Sequence, residues 1–157
     1  MKIVFLTVGK TEDAYLKDGI DKYVKRLKHY TKLDIIELDA LKNTKALTPE
    51  QQKTKEAEMI LKKLSPLDHV VLLDENGTEF TSKQFANYLD KKAIASTSTL
   101  FFIVGGPYGF DQTVYARAND KLSLSRMTFS HQMIRLLFTE QLYRSFTIIK
   151  GEPYHHE

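Results

Sequence analysis

Two short segments of this chain combine residue types suited to holding a small, flat ligand. Gly105-Gly106-Pro107-Tyr108-Gly109-Phe110 follows an apolar run. Its glycines let backbone N–H and C=O groups approach a ligand closely, while proline sets the entry of the loop. A plain tight connection is the other reading of the same residues. Leu124-Ser125-Arg126-Met127-Thr128-Phe129-Ser130 stands ahead of a long helical pattern, where the free N–H groups of a first turn attract polar or anionic groups. Its alternative is a hydroxyl-rich cap that sends Met127 and Phe129 into the core. Gly9-Lys10-Thr11 looks like the end of a phosphate-binding loop, but the glycine required five residues earlier is Val4. No dinucleotide, serine-hydrolase or zinc-protease signature occurs in the sequence.

The carboxyl-terminal third carries the remaining polar candidates. Glu140 and Arg144 are four residues apart and can pair on one helix face. Arg135 and Arg144 are nine apart and project from nearly opposite faces. Met133, Ile134, Leu136, Leu137, Phe138, Leu142, Tyr143 and Phe146 cover more than one stripe of the same helix. Such a helix is expected to be covered on more than one side, by a wrapped internal position or by a second copy of the chain. The ending Gly151-Glu152-Pro153-Tyr154-His155-His156-Glu157 reads as a frayed terminus, and adjacent histidines alone make a poor metal site.

Elements that would position these residues follow from periodicity and punctuation. Residues 2–8 predict a buried first strand closed by Gly9. Leu16, Ile20, Tyr23, Val24, Leu27 and Tyr30 recur at helical spacing, and residues 33–38 predict a second strand. After a polar connection over 39–47, Thr48-Pro49-Glu50-Gln51 has capping-box form and opens a helix to about residue 64. The continuous run His69-Val70-Val71-Leu72-Leu73 predicts a central parallel strand, turned by Asp74-Glu75-Asn76-Gly77. Thr81 with Gln84 caps a helix to about 93, residues 100–104 form the next strand, and Asp111 caps a short helix to 119. A brief strand near 122–124 precedes a last helix that Ser130 caps and that ends near 146. The alternation predicts one α/β domain over 1–157, with a mostly parallel sheet and helices on both faces. In such sheets ligands sit at the carboxyl edge, where both candidate loops fall.

Composition narrows the function classes. With 42% hydrophobic and 27% charged residues in 157, the chain is an ordinary globular domain. It has no cysteine, which removes disulfides, thiolate nucleophiles and thiolate metal sites and fits a cytoplasmic location. No apolar run reaches the length of a membrane span, so no membrane association is expected. Net charge is +3, with 14 Lys/Arg against 10 Asp/Glu over residues 1–63. That lean permits a nucleic-acid partner without the dense basic stripe of a protein held mainly by phosphates.

Taken together, KIVFLTVGK, HVVLLDENG, IVGGPYGF, the segment from Leu122 through LSRMTFSHQMIRLLFTEQLYRSFTIIKGEPYH, and the YHHE ending resemble the ribosomal large-subunit RNA methyltransferase H family of the SPOUT class. The resemblance runs from residue 1 to 157. It implies a carboxyl-terminal trefoil knot, a homodimer, S-adenosylmethionine as cofactor with no metal, and methylation of N3 of a pseudouridine in large-subunit RNA of the assembled ribosome. The cofactor contacts it implies are Leu73, Gly105, Gly106, Ser125, Arg126, Met127, Thr128, Phe129 and Ser130. Methyl transfer from a sulfonium needs alignment and removal of the weakly acidic N3 proton. Candidates for that base are His131, Glu140, His155 and His156. Arg135 and Arg144 are candidates for phosphate or uracil-oxygen contacts, and Tyr154 for stacking. His156 stands where relatives carry arginine, so a guanidinium role there does not transfer. Two rivals are a non-catalytic ribosome-binding module of the same fold and a SPOUT enzyme acting on transfer RNA. The intact GGP and SRMTFS segments argue against the first, and the lack of an added RNA-binding extension against the second.

Overall fold

Five strands and five helices alternate along the chain in the computed structural model, which describes residues 1–156. The order is β1 (Lys2–Val8), α1 (Ala14–Leu27), β2 (Lys32–Leu38), α2 (Pro49–Leu61), β3 (His69–Glu79), α3 (Ser82–Ile94), β4 (Thr99–Val104), α4 (Gln112–Arg117), β5 (Asp120–Ser123) and α5 (Met133–Ile149). A single 3-10 turn, Thr44–Ala46, interrupts the polar connection before α2. Strand order is β2-β1-β4-β3-β5, and every strand pairing is parallel.

Alternate side chains of the central strands enter opposite cores. Ile3, Phe5, Val71, Leu100 and Phe102 meet α3 and α5 on one face, through Phe85, Leu89, Phe138 and Leu142. Val4, Leu6, Val70, Leu72, Phe101 and Ile103 meet α2 and α4 on the other, through Ala57, Ile60 and Val114. Continuous apolar strands therefore need helices on both sides. Phe138 is wholly buried, with ring centroids 4.8 Å from both Phe5 and Phe102. Burial of such a side chain contributes about 1.5–3 kcal/mol. Both capping boxes form, with the Thr48 and Thr81 hydroxyls accepting from the N–H groups of Gln51 and Gln84 at 3.1 Å.

Two local expectations change. Asp74-Glu75-Asn76-Gly77 is not a turn that ends β3. It is an irregularity within a longer strand, because Leu73 and Thr78 both pair with Leu122 of β5. A Cβ at Gly77 would lie 2.7 Å from the backbone carbon of Lys121, so only glycine lets the two strands close up again. The last helix starts at Met133 rather than directly after Ser130, and it runs on to Ile149. Ser130 still serves its first turn, since its hydroxyl oxygen accepts from the Met133 N–H at 3.0 Å.

Candidate active site

Beside the 74–76 excursion of β3 and beyond the ends of β4 and β5, three segments enclose a cavity of about 580 Å³. Leu73 and the 74–76 excursion form one wall, Gly105 to Phe110 the second, and the segment leading to His131 the third. Of the predicted ligand residues, Leu73, Gly105, Gly106, Ser125, Met127, Thr128, Phe129 and Ser130 line this space. Arg126 does not. Its Nε donates to Glu79 Oε1 at 2.7 Å and its Nη1 to the Glu75 carbonyl at 3.0 Å, which turns it away from the cavity and fastens the loop to β3.

Local hydrogen bonds shape that third wall. The buried Ser123 hydroxyl donates to the Ser125 carbonyl at 2.9 Å, and Ser125 Oγ accepts from the Met127 N–H at 2.9 Å. The Thr128 hydroxyl donates to the Glu75 carboxylate. Met127 is 76% exposed and Phe129 39%, so the reading that places them in the core is wrong: both stand at the lip. A hydroxyl-rich segment folded on itself has satisfied its own polar groups, leaving its apolar side chains to face the cavity mouth. On the first wall, Tyr115 donates its hydroxyl to Asp74 Oδ2, while Asp74 Oδ1 accepts from the Asn76 N–H at 2.8 Å.

His131 lines the same cavity, and burial, reinforced by the charge of Arg135, lowers its pKa. The ring is therefore neutral at neutral pH and able to accept a proton. Arg135 is not a substrate ligand. It is 1% exposed, and its guanidinium donates to Val8 O at 3.0 Å, Gly9 O at 2.9 Å, Thr11 Oγ1 at 3.2 Å and His131 O at 2.9 Å. The Gly9-Lys10-Thr11 loop is thus tied to the start of α5 by its carbonyls. Gln132 adds to the tie, accepting from the Glu12 N–H and donating to Lys10 O.

Glu140, Arg144, Tyr154 and His155 form a separate cluster further along α5. Arg144 reaches Glu140 Oε1 through Nη2 at 2.7 Å and Nε at 3.0 Å, and the Tyr154 hydroxyl donates to the same oxygen at 3.1 Å. The Arg144 guanidinium lies 4.7 Å from the Tyr154 ring centroid. Arg144 Nη1 is 3.2 Å from His155 Nδ1. Arginine offers only donors, so Nδ1 accepts and the neutral ring carries its proton on Nε2, which is buried without a partner among the described residues. Burial raises the Tyr154 pKa, with Tyr23 and Glu140 adding to the shift. The ending is accordingly not frayed through His155: Tyr154 also packs edge-on against Tyr143, and Tyr30 donates to Glu152 at 2.6 Å. His156 is exposed, and Glu157 lies outside the described residues.

One chain therefore does not bring His131 together with Glu140, Arg144, Tyr154 and His155. Glu140 and Arg144 line a second hollow of about 800 Å³, which shares Leu122, Leu124 and Phe129 with the first. Sequence reasoning missed two features. One is the Asp74–Tyr115 pair, which joins a segment of turn composition to α4. Glu56 is a carboxylate at a core-facing position of α2 beside Ala57 and Ile60, and its one sequence signal was that spacing. Among the described residues, no group of three or more His, Cys, Asp or Glu could hold a metal, and no helix is long and apolar enough to cross a membrane.

A family model described as "Predicted SPOUT methyltransferase" matches residues 1–155. Proteins named ribosomal RNA large subunit methyltransferase H from Parabacteroides distasonis, Bacteroides fragilis and Flavobacterium johnsoniae are 54%, 53% and 52% identical over 157 residues, covering 100% of both chains in each case. A solved structure of a probable methylase family protein from Haemophilus influenzae Rd KW20 aligns with a TM-score of 0.51 at 13% identity, over 99% of this chain and 70% of that one. At that identity the likeness is one of fold.

Proposed function

The chain belongs to the SPOUT methyltransferase family, and from that premise we propose that it methylates large-subunit ribosomal RNA with S-adenosylmethionine, at N3 of a pseudouridine on the assembled ribosome. The observation that carries the reading is the cavity beside the 74–76 excursion of β3 and the carboxyl ends of β4 and β5, enclosed by the glycine loop and the 125–131 segment. Its volume falls within the roughly 300–1,000 Å³ of small-molecule sites. Leu73 and the backbone of Gly105 and Gly106 would hold the adenosine, and Ser125 to Ser130 would close over it. When bound, the donor supplies a methyl group on a positively charged sulfur, which needs no metal to become reactive. Neutral His131 at the cavity wall is the residue of this chain suited to receive the N3 proton.

A homodimer completes the site in this reading. Leu136 and Leu137 are only half-buried in one chain and line the second hollow together with Phe129. A second copy seated there would cover them and present its Arg144, Tyr154 and His155 cluster to the first cavity. The family's trefoil knot belongs to the same reading. Its support is that β5 lies beyond β3 while α5 returns to pack on α1 and α3.

Calorimetry should detect S-adenosylmethionine binding that EDTA leaves unchanged, and mass mapping of ribosomal RNA should find one new methyl group. Absence of binding, or loss of it on chelation, would overturn the cofactor assignment. Deleting residues 154–157 should leave binding near normal and depress methylation of ribosomes. Mixing that deletion with a Gly106→Val subunit separates the arrangements, because only a site shared between subunits recovers activity in the heterodimer.

A further inference from the structure

Glu56 takes no part in the chemistry described so far. It lies on the sheet-facing side of α2 and is 4% exposed. Its Oε2 is approached by the Gln52 side-chain amide at 3.3 Å, and its Oε1 has no partner among the described residues. Both oxygens stand directly behind the glycine loop. A Cβ at Gly106 would come within 2.7 Å of Oε1 and 2.6 Å of Oε2, so the carboxyl group fills the place where a side chain at 106 would point. Gly106 itself lines the cavity. Only the thickness of that glycine thus separates the carboxyl group from the wall of the donor site.

Burial raises the pKa of Glu56, opposed only by the Gln52 amide. A buried carboxylate without a cation is unfavourable, whereas an alanine or leucine at this core-facing position would carry no such cost. The chain keeps an ionisable carboxyl group where no cation among the described residues meets it, and the neighbouring cavity is read here as the seat of a cationic ligand.

We propose that Glu56 is a positioning residue that sets a negative potential behind Gly105 and Gly106, so that the cavity prefers the sulfonium donor over its neutral thioether product. The inference rests on the assignment of S-adenosylmethionine to this cavity. In the transfer the sulfur–methyl bond breaks and a nitrogen–methyl bond forms. The sulfur keeps the bonding pair and loses its positive charge, and the N3 proton leaves to the base. The ligand in the cavity therefore drops by one unit of charge, and the attraction exerted through Gly106 is lost once the methyl has gone. Donor binding and product release would both follow from one buried carboxylate.

Calorimetry on the full chain, with S-adenosylmethionine and S-adenosylhomocysteine as probes, tests this without any reading of activity. Glu56→Gln keeps the shape and removes the charge. It should weaken S-adenosylmethionine on the order of tenfold and change S-adenosylhomocysteine by less than about twofold. Equal weakening of both probes would assign Glu56 a packing role only and overturn the proposal, as would unchanged affinity for both. If Glu56→Gln does not fold, Glu56→Asp carries the test: it retains the charge and must retain the preference for the donor over the product, and loss of that preference overturns the proposal. A wild-type chain that binds neither probe removes the cofactor assignment itself, an outcome distinct from wild type binding both and the variants showing no change in preference.

Discussion

Arg135 on α5 and Glu56 on α2 are both charged side chains withdrawn from water, carried by helices on opposite faces of one sheet. Arg135 is surrounded by acceptors: three carbonyls and the Thr11 hydroxyl receive its N–H groups, and Glu37 stands 3.9 Å away. Glu56 has one long contact to Gln52 and an oxygen with no partner among the described residues. A buried charge that is fully met by hydrogen bonds acts as architecture, because every neighbour depends on it. One that is left unmet costs stability and persists where another state of the protein uses it. The first binds the β1–α1 loop to the start of α5. The second leaves the glycine loop backed by a carboxyl group that no cation among the described residues meets.

Substitutions can break or sharpen that contrast, and the largest effect belongs to Arg135. Replacing it by methionine strands buried carbonyl groups of Val8 and Gly9, and should lower unfolding free energy by about 3–5 kcal/mol in urea titration. A loss below about 1 kcal/mol would erase the distinction between the two sites. Gly106→Ala should cost about 1–3 kcal/mol by forcing a methyl group onto the Glu56 carboxylate. Combined with Glu56→Ala, much of that cost should disappear, and strict additivity in the double-mutant cycle would deny the contact. Thr11→Val deletes one acceptor of Arg135 and should cost about 1 kcal/mol.

The smallest change, Glu56→Gln, should act in the opposite direction. Burial holds the folded carboxyl above its ordinary value of 4.5. The folded state therefore binds more protons than the unfolded state just above pH 4.5, and stability is lost as the pH rises through the folded value. The glutamine variant should melt higher than wild type at neutral pH, with the gap closing as the pH falls toward 4.5. Parallel melting profiles across that range would show that burial of Glu56 carries no penalty.

Much of this arrangement could be read from residue order, for identifiable reasons. The first strand spans Lys2–Val8 as its apolar run predicts, and both capping boxes form, because each depends on neighbours within a few residues. The two candidate loops follow from glycine, proline and hydroxyl residues placed just after buried strands. Other assignments failed where a partner distant in sequence intervened. The 74–77 segment has turn composition, yet β5 supplies a pairing partner on both sides of it and the strand continues. Arg126 looks like part of the candidate ligand segment until Glu79 draws it aside.

The sequence by itself determined the strand and helix alternation, the two loops at the carboxyl edge, and the family to which they belong, since each is written in local pattern and in motifs. Only the tertiary structure decided which charges are sealed and which are left open. That Arg135 serves the β1–α1 loop, that Tyr154 and His155 fold back onto Arg144, and that Glu56 stands behind Gly106 all depend on contacts between residues 10 to 127 positions apart or on burial. Hydrogen-bond satisfaction and desolvation are properties of the packed interior, and no spacing along the chain encodes them.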